Sequence, residues 1–266
     1  MAREIKPYEE LELKDDFMFG LIMHDSKYVK PFLEMILKIK IRKVVYPQSQ
    51  KSIDLSANAK AIRLDVYVED DQNTVFNLEM QTSDNRNLPK RMRYYQGVID
   101  LNILQKGQDY TKLKKSYVIF ICTFDPFGEG RHIYTFCNTC QENTALTLDD
   151  DAVKIILSTK GTMDDVSPEM KRILDYIDGK GASDEYTKQL EEAVRSARQN
   201  ESWRLGYMTL EYEYRQRYEE GLKEGEETGI AKTNERSIRK LYKRGESIAS
   251  IAEFVELDEE AVKRII

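Results

Sequence analysis

The stretch from Arg63 to Gln81, RLDVYVEDDQNTVFNLEMQ, restricts the fold more than any other part of the chain. Two runs of β-favouring residues flank Glu69-Asp70-Asp71-Gln72-Asn73, a polar segment of turn composition. A hairpin closed there folds Asp65, at the end of the first β-like run, back beside Glu79 in the second. Side chains alternate along a strand, so Glu79 and Gln81 point one way and Met80 into the opposite layer. Two carboxylates therefore converge. A pair of hard oxygen ligands on neighbouring strands suits Mg²⁺, which keeps most of its waters and takes one or two protein carboxylates. An exposed strand face carrying Glu and Gln for solubility has the same spacing, so the spacing alone leaves both readings open.

Context extends well beyond this hairpin. The segments LKDDFMF (13–19), KPFLEMILKIKI (30–41), AKAIRLDVYVED (59–70), FNLEMQ (76–81), LPKRMRYYQGVID (88–100) and SYVIFICTFDPFGEGRHIYTF (116–136) follow one another in order. From Leu13 to about Gly161 the chain resembles the PD-(D/E)XK nuclease family transposases, the recombination-promoting nucleases. The resemblance implies a restriction-endonuclease-like αβββαβ core, a divalent metal (Mg²⁺ or Mn²⁺) held by Asp65 and Glu79, and phosphodiester hydrolysis in DNA. It also maps the family's helix acid onto Asp16. Two positions depart from the wider pattern. Gln81 stands where the superfamily usually has Lys, as this family branch commonly shows, and Gly20 replaces the Lys that often follows the aromatic of the first motif.

The chemistry makes Gln81 the weak member. Phosphodiester hydrolysis needs an activated water and relief of the charge that builds on the phosphoryl and leaving oxygens. Gln81 can orient a water through its amide but supplies no charge, so a nearby cation must substitute or the metal must do more. Lys60 and Arg63 are the nearest candidates in sequence, and each is equally a strand-edge cation. Beyond the motif, Arg86, Lys90, Arg91 and Arg93 gather at the start of a helix expected over 88–105. Arg91 and Tyr95 lie four apart and share a face, where they can meet backbone phosphate or a base. On the resemblance, Gln96 reaches the metal-bound water. The competing role for this helix is core packing with a solvated basic side.

The remaining pattern is that of an α/β fold with a mixed sheet flanked by helices. Helices are expected at about 15–24, with Asp15 or Asp16 near the N-cap, and at 28–38. Short strands are expected at 43–46, 52–55, 61–68 and 74–81. The continuous apolar run Tyr117 to Cys122 reads as a buried strand, with Arg131 to Phe136 as its pairing partner. A strand at 153–157 and a helix at 167–178 complete the core.

Composition adds exclusions. A hydrophobic fraction of 41% supports a sizeable core, and no apolar run approaches a membrane span. With no basic-then-apolar leader at the N-terminus, a cytoplasmic protein is expected. The net charge of −6 argues against uniform coating of nucleic acid but leaves room for a local basic groove. Cys137 and Cys140 form a lone C-x-x-C without a second pair, so Cys122, Cys137 and Cys140 are expected to be free thiols. Neither His24 nor His132 stands in a nucleophile-elbow context.

From Gly181 onward the chain becomes strongly charged, and Gly221, Gly225 and Gly229 recur at four-residue steps in a helical stretch. The domains expected are a nuclease-like 1–180, a charged helical connector 181–232 and a helix-turn-helix-like segment 233–266. In the last of these, Asp258 caps a helix whose first residues, Glu259 and Glu260, repel phosphate. Two function classes stay open: a metal-dependent DNA endonuclease of recombination or transposition, and a non-catalytic DNA-binding or interaction module on a decayed nuclease fold. A two-strand cut with one active site per chain favours a homodimer.

Overall fold

The computed structural model describes residues 5–46, 52–53, 62–63 and 65–266. A six-stranded mixed sheet organises the first of two compact units, which runs to Arg204. Helices α1 (Asp16–Met23) and α2 (Ser26–Leu37) come first, then strands β1 (Val44–Val45), β2 (Ser52–Ile53), β3 (Ile62–Arg63), β4 (Val66–Asp70) and β5 (Val75–Gln81). Helix α3 (Leu88–Ile103) crosses to β6 (Ser116–Cys122), followed by β7 (Ile133–Phe136) and β8 (Ala152–Ser158). The sheet order is β1-β4-β5-β6-β8-β7, while β2 and β3 pair separately.

Strands β4 and β5 form the expected antiparallel hairpin. Its turn is built by Asp70, whose carboxylate accepts the N–H groups of Gln72 and Thr74, and by Asn73 at φ 61°. Asn tolerates that left-handed geometry better than most residues. The run expected as one strand over 61–68 is interrupted at Asp65, between β3 and β4.

Strands β5, β6 and β8 are parallel. Parallel strands need a crossover, and α3 supplies the one between β5 and β6. Every residue of β5 is buried, as a central strand covered on both faces requires. One face carries Val75, Val118, Phe120, Cys122 and Ile156 and packs against Leu88, Met92, Tyr95, Val98 and Ile99 of α3. Asn77, Glu79 and Gln81 share the parity of Val75 and so belong to this face. Phe76, Leu78 and Met80 belong to the other.

Strand β7 does not pair with β6. It runs antiparallel along β8, with Ile133 opposite Leu157. Both edges of β6 are already occupied, by β5 and β8, so the returning strand takes the open edge of β8.

The loop after β8 packs tightly against this returning segment. His132 is 1% exposed, and its Nδ1 lies 2.8 Å from Asp165, whose carboxylate also accepts the His132 backbone N–H. A Cβ on Gly161 would fall 2.4 Å from the His132 ring and 2.6 Å from its backbone nitrogen. No rotamer change relieves a collision with backbone. Gly161→Ala is therefore expected to cost about 1–3 kcal/mol, the range for overpacking. At about 2–4 °C per kcal/mol, a melting curve reads this directly, and an unchanged Tm refutes it.

Helices α4 (Pro168–Ile177) and α5 (Glu185–Arg198) complete the unit. Ser167 caps α4 through Met170 N–H, and Asp184 with Thr187 forms a capping box on α5. The chain does not become a connector at 181. Tyr8 donates to the Ala197 carbonyl at 2.6 Å, Arg198 to that of Leu11 at 2.8 Å, and Tyr186 to that of Tyr28 at 2.5 Å. These bonds fix α5 to the N-terminal elements, and the unit boundary falls at Arg204 instead of 180.

The second unit, Leu205–Ile266, contains most of α6 (Glu201–Lys243) with α7 (Ile248–Val255) and α8 (Glu259–Ile265). Its core is Ile238, Ile251, Ala252, Val255 and Val262. Ser247 caps α7 and Asp258 caps α8, with Glu256 left-handed between them at φ 55°. Among the described residues no helix is long and apolar enough to cross a membrane.

Candidate metal and phosphate site

The hairpin register places Val66 opposite Leu78, and hence Asp65 opposite Glu79. Each acid is tied to the other strand. The Asp65 backbone N–H donates to Glu79 Oε1 at 3.2 Å, and the Met80 backbone N–H donates to Asp65 Oδ2 at 3.1 Å. The two carboxylates are thereby drawn together at the open end of the hairpin. Glu79 is 2% exposed. Burial pushes its pKa well above the ordinary carboxylate range, and the Asp65 charge adds to that effect. The Asp65 N–H, the Asn77 amide and the Arg91 guanidinium oppose it. Asn77 acts at a distance: it is fully buried, and neither polar atom of its side chain makes a hydrogen bond among the described residues.

Helix α1 reaches the same place. Gly20 lies against the Asp65 backbone, and a Cβ there would come within 3.2 Å of the Asp65 carbonyl oxygen. The position that lacks a lysine thus permits close approach of helix and strand. Asp16 is one helical turn before Gly20, on the side of α1 that approaches Asp65. Asp15, not Asp16, occupies the N-cap position, and it accepts from Glu12 N–H and Lys6 instead of capping the helix. Among the described residues no group of three or more His, Cys, Asp or Glu is close enough to cage a metal. Among the described residues the acidic centre is the pair Asp65 and Glu79.

Gln81 does not present an uncommitted amide. Its Nε2 donates to the Ser83 carbonyl at 2.6 Å, and its Oε1 accepts a short hydrogen bond from Arg91 Nη1. Arg91 also donates to the Tyr95 hydroxyl at 3.2 Å. Its guanidinium carbon lies 5.2 Å from the Phe120 ring centroid and 5.6 Å from that of Tyr95. Phe120 is the register partner of Glu79 on β6. Among the described residues, the cation beside the acids therefore comes from α3. Of the two candidates nearest in sequence, Lys60 lies outside the described residues, and so does the side chain of Arg63.

A family model described as PD-(D/E)XK nuclease family transposase matches residues 14–161, more than half of the chain. The chain belongs to this family. No curated protein and no solved structure matches it. The family match spans α1 to the loop after β8 and so contains the acid pair, Gln81 and Arg91. The mixed sheet flanked by helices is consistent with the PD-(D/E)XK fold.

Within this family member the residues expected to meet DNA divide into two sets. Arg86, Lys90 and Arg93 are exposed on the loop after β5 and the first turns of α3. Arg86 has φ 52°, with its N–H bonded to Asp84. Arg91 and Tyr95 do share a face, but it is the inward one, and Tyr95 is 8% exposed against Phe120. Gln96 lies away from the acids. It donates to Ser116 Oγ at 2.7 Å and Asp100 at 3.0 Å. Ser116 is the register partner of Val75, four residues before Glu79, or about 13 Å along the strand at about 3.3 Å per residue. Gln96 is a buried tie between α3 and β6. The cysteines hold no metal cluster among the described residues, and burial pushes the Cys122 thiol up to about 12.

Proposed function

We propose that this protein is a metal-dependent DNA endonuclease acting in recombination or transposition, with Asp65 and Glu79 as its metal ligands. The observation that carries this reading is the acid pair itself. Two carboxylates on adjacent strands are interlocked by backbone hydrogen bonds, and one is buried and resists ionisation. A divalent cation fits such a pair because its charge removes both the repulsion between the acids and the penalty of burying their charge. Mg²⁺, or Mn²⁺ in its place, accepts hard oxygen ligands of this kind and completes its shell with water. When bound, it would acidify a water and act as a Lewis acid toward phosphate oxygen.

The chain's own residues do the rest. Asp65 and Glu79, held by Met80 N–H and Asp65 N–H, keep their ligand oxygens on one end of the hairpin. Asp16 on α1 is a supporting acid outside the metal-binding pair, and the second amide hydrogen of Gln81, beyond the one donated to Ser83, is the one that would orient water. Arg86, Lys90 and Arg93 offer exposed positive charge to the DNA backbone, which fixes register without reading sequence. In the reaction the water oxygen bonds to phosphorus as the bond to the leaving oxygen breaks. One water proton ends on the leaving oxygen and the other passes to solvent, giving a hydroxyl and a phosphomonoester. Two such chains, acting in the cytoplasm as a homodimer, would cut both strands of a duplex.

Nicking of supercoiled plasmid in Mg²⁺ or Mn²⁺ tests the reading. Wild type should nick, and Asp65→Ala and Glu79→Ala should each lose about 10²-fold or more, the scale on which electrostatic catalytic groups are worth. Equal activity in all three sinks the assignment of the pair. A wild type that binds DNA without cutting it supports the non-catalytic module instead.

A further inference from the structure

Arg91 is, among the described residues, a cation set beside the acid pair: its guanidinium opposes the burial that raises Glu79, Tyr95 and the Cys122 thiol. Among the described residues it forms no ion pair. Its guanidinium is instead fixed by neutral partners: the Gln81 carbonyl, the Tyr95 hydroxyl and the faces of Phe120 and Tyr95. Such a mount holds the side chain in place without neutralising it. Among the described residues, two of its five N–H donors are spent on Gln81 and Tyr95, which leaves three for an anion. A guanidinium presents these donors in a planar fork that suits two oxygens of one phosphate. Partial burial of the side chain strengthens its field relative to water.

We propose that Arg91 binds the non-bridging oxygens of the phosphate to be cleaved, and that Gln81 is its positioning residue. This rests on the nuclease reading above and deepens it. The positive charge that position 81 lacks is delivered from α3, one helical turn before Tyr95, and Gln81 serves to aim it. A lysine at 81 would have placed the charge on the strand itself. Gln81 contributes no charge, and its acceptor oxygen is what a guanidinium needs.

The test uses the full-length protein with Arg91→Met, Arg91→Lys, Gln81→Leu, and Arg91→Met combined with Gln81→Lys. Three readouts are needed: nicking in Mn²⁺, Mn²⁺ affinity by calorimetry, and the salt dependence of binding to a short duplex in Ca²⁺. Arg91→Met is expected to lose about 10²–10³-fold in nicking, the scale of one oxyanion donor. Its Mn²⁺ affinity should be retained or improved, because a repelling charge has left the ligand pair. The slope of log K against log salt for duplex binding should shrink by about 0.9, one phosphate contact. Arg91→Lys should retain more activity than Arg91→Met. Gln81→Leu should reduce nicking with Mn²⁺ binding intact, and Gln81→Lys should restore at least about tenfold to Arg91→Met, since it returns a cation to the site.

Nicking by Arg91→Met within threefold of wild type overturns the proposal. So does a parallel loss of Mn²⁺ affinity and nicking, which is what a merely structural role would produce. If wild type itself fails to nick, the nuclease reading fails separately, and the duplex-binding slope still decides on Arg91: an unchanged slope in Arg91→Met excludes its phosphate contact.

Discussion

Glu79→Gln is expected to raise the thermal stability of the metal-free protein, by a margin that widens as pH rises. Burial first and Asp65 second hold the Glu79 pKa well above its ordinary value of 4.5 in the folded chain. Between the ordinary and the raised value, the folded protein keeps a proton that the unfolded chain releases. Stability linked to this group is therefore complete below the ordinary value and is lost as pH climbs through the raised one. Glutamine has the same shape and never ionises, so the variant escapes that loss. Melting curves of both proteins from the acidic to the alkaline side should coincide most nearly at low pH and diverge above it. Parallel curves would show that Glu79 ionises without cost. The same variant should lose the stabilisation that Mn²⁺ gives the wild type, about 2.7 kcal/mol at a hundredfold excess over Kd.

The second large effect is expected at Phe120. This ring is fully buried, stands across the register from Glu79, packs at 5.7 Å from Tyr95 and lies beneath the Arg91 guanidinium. Phe120→Ala removes a large side chain from the centre of the sheet's α3 face, where the backbone cannot collapse to fill the space. Buried Phe→Ala changes cost about 3–5 kcal/mol, and Phe120→Leu should cost substantially less because most of the volume remains. Urea titration of the two variants gives the comparison through the midpoint shift. A cost below about 1 kcal/mol for Phe120→Ala would mean that this face is not tightly packed.

Much of this architecture is legible in the sequence. The β4–β5 hairpin follows from alternation broken by a run of turn-forming polar residues, and β6 follows from an uninterrupted apolar run. The opposition of Asp65 and Glu79 then follows from where the turn closes the hairpin, with parity placing Glu79 and Gln81 on one face. What stayed hidden depends on long-range geometry. Helical spacing says that Arg91 and Tyr95 share a face, but not that this face looks inward. The signal was there, since Arg91 borders the stripe Leu88, Met92, Tyr95 and Ile99, all of them buried. Gln96 lies next to that stripe too, yet its amide nitrogen donates to Ser116, a partner twenty residues away that no local pattern identifies. The edge taken by β7 depends on which strand edges are vacant, a property of the assembled sheet. Helix α5 reads as a charged connector because its outer face dominates its composition. The buried Leu190, Val194 and Ala197 mark the face that packs.

The hydrogen bonds joining Asp65 to Glu79 and Met80 to Asp65 lie at the opposite end of the hairpin from its turn. Alignment of the strands is thus pinned where the chemistry is, and the Asp71–Asn73 tip is an outlying loop that the acids do not depend on. Side-chain changes at that tip are expected to leave the alignment of the acids in place. The hairpin insulates its reactive end, so the exposed tip of this segment is the part whose side chains the centre can ignore.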